Sequence, residues 1–123
     1  MGRFSVHAEV AHLADPTRVA EVELLVDTGA TLTWVPREVL RQLGVPRLRR
    51  GSFVVTDGRT IGRDIAGAVV RLKGNEASST VVVTEPGNDY LLGATALESL
   101  GFSVDTLGRR LIPQEQLAMC LGG

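Results

Sequence analysis

Two stretches near the start of the chain alternate between apolar and polar side chains. Phe4, Val6, Ala8 and Val10 are interleaved with Ser5, His7 and Glu9, and Ala20, Val22, Leu24 and Val26 with Glu21 and Glu23. A period of two puts successive side chains on opposite faces, so both stretches predict half-buried β-strands. Between them "ADPT" (Ala14–Thr17) reads as a turn with φ preset by Pro16. The pair therefore predicts a hairpin.

Further along, "PREVLRQLG" (Pro36–Gly44) has proline where a helix begins and glycine where one ends. In "SFVVTDGRTIGRDI", Asp57-Gly58 separates two strand-like runs and predicts a second hairpin, because both turn residues tolerate positive φ. "GAVVRLKG" and "STVVVTE" follow as two more strands, with Gly74–Ser78 read as a polar turn. "YLLGATALESLGF" has an aliphatic run stopped by Gly93, then a short helix over Ala94–Leu100 terminated by Gly101. "FSVD" and "RRLIP" predict short closing strands. The pattern predicts a mainly β domain, a small barrel or folded sheet with two small helices, and does not fit a βαβ array.

Composition narrows the class. The 123 residues fit one domain, with a core expected over about residues 3–113 and a tail over 114–123. Hydrophobic residues make up 44%, ordinary for a globular chain, and no apolar run has the roughly 20 residues of a membrane helix. "MGRFSVHAEV" has no apolar block of the signal-peptide type. The net charge of −1 offers no general nucleic-acid footprint. Cys120 is the single cysteine, so no internal disulfide forms, and no Cys/His cluster has zinc-ligand spacing. These features set the expectation of a reducing, cytoplasmic setting, with no membrane or nucleic-acid partner and no metal.

The stretch with chemistry in it is "LLVDTGATLTWVP" (Leu24–Pro36). It drives Asp27 to the end of an aliphatic strand and turns the chain at Thr28-Gly29. Backbone N–H groups of such a turn can hold a carboxylate rigid. Taken alone, the same residues also fit an Asx-type turn or a helix cap.

In context, "VDTGAT" resembles the catalytic signature of the aspartic proteases, specifically the short retropepsin-like type with bacterial single-domain members. "YLLGATALESLG" is similar to the second signature of that family, "VVTDGRTIG" falls where the family has its flap hairpin, and "VDTLGRRLIP" resembles its closing stretch. The likeness covers roughly Ala20–Pro113. It implies the acid-protease fold, a closed barrel with a short helix after Leu91-Leu92-Gly93, and no cofactor. It implies peptide hydrolysis by two carboxylates sharing one proton, since like charges about 3 Å apart cannot both ionise. With one Asp-Thr-Gly in 123 residues, the second carboxylate must come from a second copy in a homodimer.

The resemblance also assigns roles. Asp27, Thr28 and Gly29 would form the catalytic loop, with the Thr28 hydroxyl reaching the partner chain. Ala30 and Thr31 would line the cleft floor, Asp57, Gly58 and Arg59 would stand at the flap tip, and Leu91 would face a side-chain pocket over a peptide or protein substrate. A rival reading keeps the fold as a peptide-binding or dimerisation module that cleaves little. The tail through "QEQLAMCLGG" could replace the terminal dimer sheet of viral relatives, lie elsewhere or block it. Trp34, the one tryptophan, is expected to pack in the core rather than flank the cleft. His7 and His12 read as surface residues, Arg47, Arg49 and Arg50 as a solvated face before a strand, and Cys120 as inert.

Overall fold

The computed structural model of the chain describes residues 3–114. Cys120 and the tail from Glu115 onward lie outside the described residues. The first two alternating stretches become β1 (Ser5–Ala11) and β2 (Val19–Val26), an antiparallel pair with Ser5 opposite Leu25 and Ala11 opposite Val19. Ala8, Val10, Val22, Leu24 and Val26 point into the core, while Glu21 and Glu23 stay exposed. In the connecting turn the His12 ring nitrogen Nδ1 accepts hydrogen bonds from the Ala14 and Asp15 N–H groups, so this histidine braces a loop.

After β3 (Thr33–Pro36) comes α1 (Arg37–Leu43), which buries Leu40 and Leu43. Pro36 is the residue just before the helix rather than its first, and Gly44 closes it in the left-handed region at φ 73°. The chain continues through β4 (Arg47–Val54), β5 (Thr60–Leu72), β6 (Asn75–Thr84) and the two-residue β7 (Leu91–Leu92). It ends in α2 (Ala94–Leu100), β8 (Phe102–Asp105) and β9 (Arg110–Pro113).

The expectations for the middle of the chain need two corrections. "TIGRDI" and "GAVVRL" are one strand of 13 residues, β5. The turn expected over Gly74–Ser78 is only Lys73-Gly74, at φ 52° and 85°, with Leu72 opposite Asn75. Two successive positive φ values suit the right-handed twist of a tight two-residue hairpin. Pairing then carries the polar residues Asn75–Thr80 along β5, half of a strand that hydrophobic pattern alone could not reveal.

Seven strands form one sheet in the order β1-β2-β7-β3-β6-β5-β4, and β1 also pairs with β5. That second pairing, Glu9–Ala11 against Val69–Arg71, returns the order on itself and leaves β4 as its outer strand. Leu24, Leu92, Val10, Val35, Val70 and Val81 fill the interior and are fully buried. β8 and β9 form a separate two-stranded sheet that buries Phe102 and Leu111. The short β7 pairs parallel with β2 and touches β3 through Leu91 and Trp34. It thus lies between the two strands that flank residues 27–32, the geometry on which the site is built.

A charge cluster holds the base of the β4–β5 hairpin. Asp64 on β5 accepts from Arg50 at 3.1 Å and Arg47 at 3.4 Å, both on β4, and from two Arg37 nitrogens at 3.2 Å. Arg37 Nε reaches both Glu85 oxygens at 3.1 Å. Arg47, Arg49 and Arg50 are exposed, as expected, but they lie in β4 rather than before a strand, and Arg47 and Arg50 also grip a nearly buried carboxylate. Hydrogen bonds from Arg50, then Arg37 and Arg47, hold the Asp64 carboxyl below its ordinary value of 3.8. The stabilisation from such a group is fully present above its unfolded value and is lost as pH falls through the lowered folded value. Asp64→Asn is therefore expected to lower the melting temperature at neutral pH, and its deficit should shrink once the pH drops below 3.8. Thermal denaturation of both proteins across that range checks it; a deficit independent of pH would show that packing, not charge, holds the hairpin base.

Candidate active site

Asp27 leaves the end of β2 with its backbone still tied into the sheet. Its N–H donates to the Leu92 carbonyl at 3.0 Å, and the Val26 N–H donates to the Phe4 carbonyl at 2.8 Å. The chain then turns on itself. The Gly29 N–H donates to Asp27 Oδ1 at 2.9 Å, and the Ala30 N–H to the Asp27 carbonyl at 3.1 Å. The Asx-type turn is thus real, and it aims the carboxylate. A side chain at Gly29 would start 3.2 Å from Oδ1, crowding the oxygen that this N–H holds.

A second loop locks the first. The Ala94 and Thr95 N–H groups, at the start of α2, donate to the Ala30 and Thr31 carbonyls at 2.8 and 3.0 Å. The Gly93 N–H donates to the Thr33 hydroxyl at 3.0 Å in a buried position. Gly93 has ordinary extended backbone, so its requirement is space: an added Cβ would lie 2.3 Å from the Leu32 carbonyl oxygen and 2.9 Å from that of Ala30. Both obstacles are backbone and cannot swing aside. The Leu91-Leu92-Gly93 stretch supports the Asp27 loop from beneath by main-chain contact, with Leu92 fully buried.

The Asp27 side chain is 26% exposed and lies in the wall of a cavity of about 840 Å³. Gly29, Ala30, Thr31 and Leu91 line the same space, as do Leu32, Trp34, Phe53, Ile61, Arg63, Asn88 and Asp89. Trp34 is thus a wall of the cleft and not a core residue, packed edge-on against Phe53 with ring centroids 5.5 Å apart. Thr28 is exposed beside this lining, and its hydroxyl has no hydrogen-bond partner among the described residues. Asp57, Gly58 and Arg59 form the exposed tip of the β4–β5 hairpin, beyond the lining, which on that side consists of Phe53–Thr56 and Ile61. At the tip Arg59 ties up Asp57 through its N–H at 3.0 Å and its Nε at 2.6 Å. Those bonds, the backbone one foremost, hold the Asp57 carboxyl below its ordinary pKa of 3.8.

One participant had no local signal in the sequence. Arg3 lies 24 positions before Asp27 and donates from a guanidinium nitrogen to Asp27 Oδ2 at 2.9 Å, while its carbonyl accepts from Arg109. Arg63 was within reach of sequence reasoning. With the hairpin pivoting on Asp57-Gly58, strand alternation puts Arg63 opposite Gly51 and on the face of Phe53 and Ile61. A smaller cavity of about 350 Å³ lies away from Asp27, between β1, β2 and the β5–β6 turn, where Arg71 pairs with Glu9 and Glu76. Among the described residues no three His, Cys, Asp or Glu side chains are grouped to hold a metal ion, and no helix is long and apolar enough to cross a membrane.

The family model described as "gag-polyprotein putative aspartyl protease" matches residues 18–99, two thirds of the chain. No curated protein matches it. Among solved structures, the EIAV protease in complex with the inhibitor HBY-793 superposes with a TM-score of 0.63 at 19% identity, over 81% of this chain and 89% of that one. A retropepsin-like aspartic protease from Rickettsia conorii gives 0.58 at 22% identity, over 85% and 77%. The retroviral protease-like domain of Ddi1 from Leishmania major gives 0.54 at 20%, over 88% and 86%. These likenesses establish a retropepsin-like fold.

The contact between the two loops is testable without any assay of activity. Thr33→Val keeps the shape but leaves the buried Gly93 N–H unpaired, an expected loss of about 1–3 kcal/mol. Gly93→Ala forces backbone against backbone, and should cost roughly 3 kcal/mol. Chemical denaturation measures both; a Gly93→Ala protein of native stability would show that the loops are not in contact.

Proposed function

The chain belongs to the gag-polyprotein aspartyl protease family, and on that premise we propose that it is an aspartic endopeptidase whose active centre is completed by two Asp27 carboxylates, one from each chain of a homodimer. The observation that carries this reading is the setting of Asp27. Its carboxylate is aimed by the Gly29 N–H into the cavity of about 840 Å³, between apolar walls suited to peptide side chains. The chain contains one Asp-Thr-Gly, so the matching acid has to come from a second molecule.

The chemistry follows from the pair. Two carboxyl groups at close range hold one proton between them. The ionised partner takes a proton from a water, and that water's oxygen bonds to the scissile carbonyl carbon as the protonated partner donates to the carbonyl oxygen. Collapse of the tetrahedral species breaks the C–N bond, and the leaving nitrogen receives a proton from the pair. Gly29 limits the motion of the nucleophile-activating oxygen, Ala30 and Thr31 offer backbone to an extended peptide, and the β4–β5 hairpin covers it. The exposed Thr28 hydroxyl is the group suited to bonding across the dimer axis.

Arg3 fits this scheme as a placeholder. In the single chain its guanidinium sits 2.9 Å from Asp27 Oδ2 and offsets that carboxylate's charge. At 49% side-chain exposure, such an ion pair is worth no more than about 1 kcal/mol. Assembly can therefore displace it at small cost.

Asp27→Asn is expected to abolish hydrolysis of unstructured peptides while leaving the melting temperature within a few degrees of the parent. Retained turnover would remove Asp27 from the mechanism. Specific activity should fall on dilution as dimers dissociate, followed in parallel by sedimentation; constant activity from a proven monomer would rule out the shared centre. A pepstatin-type inhibitor that binds in an Asp27-dependent way, with no turnover of any peptide, would favour the binding-module reading instead.

A further inference from the structure

Arg63 is a cation in the wall of the cleft with no carboxylate in ion-pair reach among the described residues. Its NH1 donates to the Gly62 carbonyl at 2.8 Å. Its Nε is shut off from solvent with no acceptor, and NH2 has none among the described residues. The neighbouring carboxylates take their hydrogen bonds from other arginines; Glu85 feels the Arg63 charge across space but forms no ion pair with it. Asp64, the next residue, faces the other side of β5 and takes Arg37, Arg47 and Arg50, while Glu85 takes the Arg37 fork. Four arginines thus meet two acids in this corner, and Arg63 is the one turned to the cavity. Asp27 and Asp89, the acids of the cavity lining, are not within ion-pair distance of it.

A guanidinium half withdrawn from water is costly to leave without an anion. Gly51, opposite Arg63 on β4, presents no side chain to cover it. Resting on the protease reading above, we propose that Arg63 is a specificity-determining residue that receives a carboxylate of the bound peptide. The preferred substrate is then an extended segment with an aliphatic or aromatic side chain against Trp34, Phe53 and Leu91 and a glutamate or aspartate side chain at Arg63.

The test uses the Asp27→Asn chain, which binds without cleaving, and end-labelled peptides read by fluorescence anisotropy. The peptides share an apolar centre and differ by Glu or Gln at each flanking position, with free or amidated C-termini. One position should favour Glu over Gln by about tenfold, the range of a charge-assisted hydrogen bond, and this ratio should fall in high salt. Arg63→Gln should erase the ratio, Arg63→Glu should reverse it in favour of a Lys peptide, and amidation should leave it unchanged. No position exceeding twofold, a ratio that survives Arg63→Gln, or one that vanishes on amidation overturns the proposal. The Glu-to-Gln comparison and its salt response on the chain that keeps Arg63 decide the matter even if the Arg63 variants do not fold. Binding without acidic preference leaves the protease reading standing, whereas absence of binding by every peptide removes both.

Discussion

Asp27 depends for its position on main-chain contact between two loops far apart in sequence. The carbonyls of Ala30 and Thr31 accept from Ala94 and Thr95, and Gly93 presses its bare Cα against the carbonyl of Leu32. Side-chain packing tolerates rearrangement, but two backbones at this distance have one way to fit. The sheet order serves the same end, because β7 is threaded between β2 and β3 and brings Gly93 under the turn. The Gly29 N–H then needs only a local bond to aim the carboxylate.

From that fixed point the surroundings divide into a buried floor and a more exposed roof with different chemistry. The floor is backbone and fully buried aliphatics such as Leu92 and Val35. The roof is the β4–β5 hairpin, anchored at its base by arginines around Asp64 and exposed at its tip, where Arg59 and Asp57 satisfy each other. The tip of this hairpin is charged, and its apolar contribution to the cavity comes lower down, from Phe53 and Ile61. The apolar lining thus lies at the hairpin stem, where Trp34 and Arg63 also face the cavity.

Much of this was legible in the sequence where the signal is local. Alternation located β1 and β2, Asp57-Gly58 located the hairpin, and Gly44 and Gly101 located the helix ends, because each depends on a few neighbouring residues. Asp27-Thr28-Gly29 and Leu91-Leu92-Gly93 stood out for the same reason. What escaped was set by pairing across the fold. The polar half of β6 is a strand only because β5 lies beside it. Trp34 looked like core, yet its strand ends at the cleft wall. The grip of Arg47 and Arg50 on Asp64 escaped because Asp64 lies beyond the hairpin turn, and Arg3 has no periodic relation to Asp27 at all.

The return of β1 onto β5 has a further effect on how the molecule meets its own kind. In the main sheet it leaves β4 as the outer strand among the described residues, an edge whose unpaired backbone groups could recruit another chain. That margin carries Arg47, Arg49 and Arg50. Like charges along a rim disfavour an approaching copy of the same rim, so residues that brace the hairpin also work against edge-to-edge pairing. Self-association through this border would set Arg49 and its two paired neighbours against a second such set.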